Sequence, residues 1–211
     1  MYKSLIRQAV FLAWFTILYN LVEGTVSIAF GAGEDSVSLF GFGIDSLIEV
    51  ASAFLVLLRL RGESEQSIRL SVDRERRISL TMGILFLLLA LVTITGSSFQ
   101  LFQKGHPSTT LPGMIISLLS LSFMFALWIS KRKLARLLNS AALLNDSQCS
   151  LACIKLSLVL LIGSLLFWIF PALWWADSIA AIVIAALIAC EGMNMIRSAR
   201  SPEFSGGCGC C

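Results

Sequence analysis

Six long apolar stretches account for most of this chain: Leu5–Phe30, Val37–Leu58, Ile78–Phe99, Leu111–Ser130, Leu143–Phe170 and Trp174–Ile196. A helix needs ~20 residues to cross ~30 Å of hydrocarbon, and a backbone in lipid must satisfy its own hydrogen bonds. Each stretch is long enough to do so, and the alternation of a membrane β-barrel is absent. Charged residues are 14% of the chain and hydrophobic residues 57%, with a mean hydropathy of +0.85. A soluble domain carries nearly twice that charge. The expected fold is an all-α membrane protein, a six-transmembrane-helix bundle. The first stretch is too long, and too polar near its end, for a cleaved signal peptide, so it belongs to the fold.

The 16 Lys and Arg residues set the orientation. Lys3 and Arg7 flank the first helix, and Arg197 and Arg200 follow the sixth. Arg59, Arg61, Arg69, Arg74, Arg76 and Arg77 fill the second loop; Lys131, Arg132, Lys133 and Arg136 fill the fourth. The other three loops hold Lys104 alone, and Lys155 lies inside helix 5. Basic loops stay on the cytoplasmic side, so both termini are expected there. The net charge of +3 reflects that asymmetry, and no basic surface interleaved with aromatics points to nucleic acid. Residues 1–198 read as the transport domain and 199–211 as a disordered Cys-rich cytoplasmic tail, too short to bury a core. Short basic loops in a compact chain suit a bacterial inner membrane.

Within this apolar background a few polar side chains persist, and charge inside a bilayer is kept where it serves an ion or proton route. Asp45 and Glu49 stand four residues apart in GFGIDSLIEVASA and share a helix face. With 1.5 Å of rise per residue from Val37, they lie ~12 and ~18 Å deep. Two such carboxylates do not both ionise cheaply without a cation or protons between them. The bland alternative is a pair held protonated by interhelical hydrogen bonds.

In NDSQCSLAC, Asp146, Cys149 and Cys153 fall at i, i+3 and i+7 on one face of helix 5. The two cysteines can reach the depth of the carboxylate pair. Two carboxylates with two thiolates suit tetrahedral Zn²⁺, and thiolates also accept softer ions. Each cysteine alone also fits as a small packed hydrophobe.

Asn20 and Glu23 share a face of helix 1, as a second polar shell or an outer gate; the alternative is that Glu23 lies hydrated near the external interface. Lys155 lies off the cysteine face, where it counters a carboxylate or snorkels to an interface. Asp177, after WWA, reads equally as a first-turn residue of helix 6 and as a metal contact. His106, in the loop between helices 3 and 4, reads as a solvated turn residue. All six cysteines lie outside the external loops, and cytoplasmic thiols stay reduced, so a disulfide framework is not expected. Cys208, Cys210 and Cys211 put three thiols within four residues of the tail, either a site for capturing a thiophilic ion or a dispensable end.

Together GIDSLIEVASA, LLNDSQCSLAC and WWADSIAAIVIAALIACEG, in that order and topology, resemble the cation diffusion facilitator superfamily over nearly the whole chain. That resemblance implies a tetrahedral midmembrane site built from two ligands on helix 2 and two on helix 5. Position by position, these are Asp45 and Glu49 with Cys149 and Cys153. The family's usual histidine is missing, which bears on the preferred metal. So is the cytoplasmic domain that commonly follows helix 6 and supports dimers, so a homodimer would rest on the membrane helices.

The combined reading is a divalent heavy-metal exporter, Zn²⁺ by default with Cd²⁺, Hg²⁺ and Pb²⁺ favoured by the thiols. Its partners are metal ions, protons and the lipid bilayer, with no cofactor and no enzymatic step. A non-transporting membrane scaffold that binds metal through the tail is one alternative. A membrane thiol oxidoreductase is another, disfavoured because cysteines four apart on a helix bridge poorly and no CxxC occurs.

Overall fold

The computed structural model of the chain describes residues 2–33, 37–61, 68–103, 111–170 and 175–206. Among them the only regular elements are six helices: α1 (Tyr2–Gly33), α2 (Val37–Arg61), α3 (Ile68–Phe102), α4 (Leu111–Leu138), α5 (Ala141–Ile169) and α6 (Ala176–Arg200). Four contain segments long and apolar enough to cross a membrane: Ser4–Phe30, Phe40–Leu60, Val72–Phe102 and Ser178–Arg200. The all-helical expectation holds.

The bundle is apolar outside and polar within. Phe11 is 70% exposed, Val22 66% and Phe102 90%, while Thr16, Asn20, Ser27, Ser120, Ser147, Ser150 and Ser157 have no exposed surface. Such a distribution suits lipid as the surrounding solvent. Where lipid removes the hydrophobic drive between helices, close packing of small residues and internal hydrogen bonds hold them together.

Helix α1 packs most extensively on α2, α3 on α6 and α4 on α5, and α5 also touches α2. Two glycine pairs set the closest approaches. A side-chain carbon on Gly43 would stand 2.9 Å from the Gly24 carbonyl oxygen. One on Gly83 would stand 2.9 Å from the Gly192 carbonyl oxygen, and one on Gly192 equally near that of Gly83. Three alanines spaced four apart in α6 belong to the same packing: Ala181 and Ala185 are buried, and Ala185 and Ala189 pack with Phe86, Leu89 and Ile188.

The basic run expected in the fourth loop is helical instead. Helix α4 continues through Lys131, Arg132, Lys133 and Arg136 to Leu138. Lys, Arg and Leu are good helix formers, and nothing in SKRKLARLL breaks a helix. The turn into α5 is only Asn139 and Ser140. Asn139 takes φ 47, a left-handed conformation that Asn tolerates. Ser140 caps α5, accepting the Leu143 amide at 3.4 Å.

A second cap comes from α3. Buried Glu75 accepts the Ala142 amide at 2.7 Å, the Ser140 hydroxyl at 2.6 Å and Arg59 Nε of α2 at 2.7 Å. A carboxylate here pairs with the positive end of the α5 dipole and with Arg59 together. Residues after α6 fold back beside it. Gly206 accepts the Ala141 amide at 3.0 Å, Arg76 Nη2 donates to the Ser201 carbonyl at 3.3 Å, and the Arg76 guanidinium lies 5.6 Å over the Phe204 ring. This network ties α2, α3 and α5 at the end of the bundle where the basic residues lie.

Candidate functional site

Helix α2 presents Asp45 and Glu49 on its inner face, 2% and 0% exposed. Helix α5 presents Asp146, Cys149 and Cys153, equally buried. The helical spacing that put each group on one face therefore points both groups into the bundle. The outward faces of the same helices carry Phe54, Leu58, Leu158 and Ile162 toward lipid.

The most consequential side chain comes from α4. Lys131 is 3% exposed. Its Nζ lies 3.0 Å from Asp146 Oδ2 and 3.3 Å from Glu49 Oε1, and donates to Ser150 Oγ at 3.0 Å. Ser150 in turn donates to Glu49 Oε1. Ser52 of α2 donates to Asp146 Oδ1 at 2.8 Å. One ammonium thus joins carboxylates of α2 and α5, and two hydroxyls complete the shell. Buried charge is tolerable only when paired and hydrogen-bonded in this way.

Side chains on a helix lean toward its N-terminus. The long stem of Lys131 accordingly carries its ammonium back into the bundle, away from Arg132, Lys133 and Arg136. Lys131 was expected on the solvated basic loop, and the structure corrects that. Among its basic neighbours it alone is buried; Lys133 and Arg136 are exposed and Arg132 is intermediate.

One oxygen of each α2 carboxylate is left unanswered among the described residues. Asp45 Oδ1 and Glu49 Oε2 are buried without a hydrogen-bond partner among the described residues. The Cys153 thiol neighbours Asp45, and the Cys149 and Cys153 thiols lie beside each other. Both are free thiols. Among the described residues no three His, Cys, Asp or Glu side chains converge closely enough to hold a metal ion. The donors share one buried region without forming a coordination shell.

A further polar layer extends along α1. Glu23, 7% exposed, accepts from Tyr19 at 3.0 Å and from Ser46 of α2 at 3.2 Å. Fully buried Asn20 donates from Nδ2 to the Thr16 carbonyl at 3.0 Å and leaves Oδ1 without a partner among the described residues. Tyr19 packs on Phe123 of α4, with ring centroids 5.0 Å apart. The hydrated-interface alternative for Glu23 does not match this burial.

Lys155 counters a carboxylate, pairing with Glu191 of α6 at 3.1 Å, both about one third exposed. Asp177 is the second residue of α6, and its side chain lies outside the described residues, as do His106, Cys208, Cys210 and Cys211.

Sequence reasoning passed over Lys131, Ser150, Ser52 and Ser46. Ser150 had a signal, standing four residues after Asp146 on the same helix. Ser52 had one too, three residues after Glu49 and seven after Asp45 on the same face of α2, and Ser46 stands three residues before Glu49. Lys131 had none, because a lysine heading a basic run reads as a membrane-edge marker.

The sequence profile of the cation efflux transmembrane domain matches residues 12–201. Transmembrane protein 163 of Xenopus laevis is similar, 24% identical over 190 residues that make up 90% of this chain. The chain spans 66% of that relative's length.

Proposed function

The chain belongs to the cation efflux family, whose members are metal-cation transporters and not enzymes, and on that premise we propose that it exports a divalent heavy metal by exchange for protons. Zn²⁺ is the default cargo; the two thiols favour Cd²⁺, Hg²⁺ and Pb²⁺ as well. One observation carries the reading. Among the described residues Asp45 Oδ1 and Glu49 Oε2 are buried without hydrogen-bond partners, near Cys149 and Cys153, and a cation is what such a set lacks.

In this proposal six helices span the membrane with both termini in the cytoplasm, a bacterial inner membrane being the setting that short basic loops suit. Cargo arrives from the cytoplasm and is bound by Asp45, Glu49, Cys149 and Cys153. Because these donors do not yet converge, loading draws α2 and α5 together. Rocking of the bundle then opens the site outward, as midmembrane sites in transporters are exposed alternately. Protons arriving on the carboxylates release the metal. Asp146, Glu23 and Asn20 line the polar route. Cys208, Cys210 and Cys211 capture metal from the cytoplasm, and a homodimer forms through membrane helices.

The test is Zn²⁺ and Cd²⁺ flux in proteoliposomes, with and without a proton gradient. Asp45→Asn and Cys153→Ser are measured alongside. Gradient-dependent flux by the wild type, lost in Asp45→Asn while that variant still inserts, supports the reading. Metal binding without flux overturns it in favour of a scaffold.

A further inference from the structure

We propose that the Lys131 ammonium is a tethered competitor for the cargo: it occupies the carboxylate cluster in the empty protein, and the metal must displace it to bind. This rests on the transport reading above and assigns to that site a residue outside its four ligands.

Three observations converge on Lys131. Its ammonium touches Glu49, Asp146 and Ser150, so it bridges the two helices that supply the metal donors. Glu49 is divided between two roles, with Oε1 held by Lys131 and Ser150 and Oε2 unanswered among the described residues. Lysine is also the side chain suited to leaving: a compact charge on a flexible stem, unlike the fixed fork of arginine.

The electrostatics make occupancy exclusive. A divalent ion on Glu49 would sit within a few ångströms of the ammonium in a low-dielectric interior, where like charges repel strongly. Lys131 then withdraws toward the α4 end where Arg132 and Lys133 lie. When the metal leaves, the ammonium returns. The empty carrier therefore keeps compensated carboxylates while it changes conformation.

The experiment uses the full chain and Cd²⁺ as the probe. Calorimetric titration in detergent compares wild type, Lys131→Gln and Lys131→Arg. Lys131→Gln is expected to bind Cd²⁺ on the order of tenfold more tightly, a typical coupling between sites, and Lys131→Arg, whose fork leaves the carboxylates less readily, to bind it more weakly than wild type. In liposomes Lys131→Gln keeps Cd²⁺-for-Cd²⁺ exchange but loses net efflux, a split that simple unfolding does not produce. The wild type is also read directly by NMR of ¹⁵N-lysine protein. Its buried ammonium signal, assigned by its loss in Lys131→Arg, should shift or exchange rapidly on Cd²⁺ addition.

An unchanged or weaker affinity in folded Lys131→Gln overturns the proposal, as does an ammonium signal unmoved by saturating Cd²⁺. In either case Cd²⁺ binding and flux by the wild type leave the transport reading standing. If Lys131→Gln does not fold, the wild-type NMR measurement decides. Absence of Cd²⁺ binding by the wild type overturns both readings.

Discussion

Lys131 and Glu49 meet at 3.3 Å, although one heads a basic run on α4 and the other lies among the apolar residues of α2. The contact makes Glu49 both an anchor of the empty bundle and a candidate metal ligand. Perturbations of the site therefore act on stability as well as on transport.

Removing a thiol should change selectivity before it abolishes flux. Cys153→Ser replaces a soft donor with a hard one beside Asp45. Competitive flux is expected to shift from Cd²⁺ toward Zn²⁺, with Cd²⁺ transport falling about tenfold more than Zn²⁺, or ~1.4 kcal/mol in relative transition-state stabilisation.

The Glu75 cap is a stability element that stands apart from the metal donors. Glu75→Gln removes the charge facing Arg59 and weakens the acceptor for the Ala142 amide. Breaking a buried pair from one side costs about 3–5 kcal/mol. A lowered unfolding midpoint in detergent, without a change in metal preference, is the expected result.

The glycine crossing of α3 and α6 leaves no room for a methyl group. In Gly83→Ala the new carbon would meet Ile196 Cγ1 at 2.6 Å and the Gly192 carbonyl oxygen at 2.9 Å. Overpacking of this kind costs roughly 1–3 kcal/mol. Gly41 has nothing within 4 Å of the same added carbon, so Gly41→Ala should be neutral or stabilising. Parallel thermal unfolding of the two variants checks the contrast.

Topology is tested separately. Cytoplasmic termini predict that tags at both ends are cleaved by protease added to the cytoplasmic face and protected from the other face. Cleavage of the two tags from opposite faces would require an odd number of spans.

How much of this was legible in the sequence differs by element. The apolar stretches announced helices and a membrane because the bilayer fixes a minimum length for each. The spacing of Asp45 with Glu49, and of Asp146 with Cys149 and Cys153, placed each set on one inward face because 3.6 residues make a turn. Those are local rules, written in contiguous residues. The apolar stretch of α4 ends at Ser130 because the bilayer sets only the length of the apolar run, whereas Lys and Arg sustain a helix that leaves the lipid and runs to Leu138.

The sequence by itself determined the helical membrane class and the faces of α2 and α5 that carry the polar groups. Only the tertiary structure decided that Lys131 fills the carboxylate cluster, that Glu75 caps α5, and which oxygens are left unanswered. The physical reason is that burial and ion pairing depend on which helices pack together. A lysine at the end of a span can reach water or turn inward, and the carboxylates of two distant helices decide which.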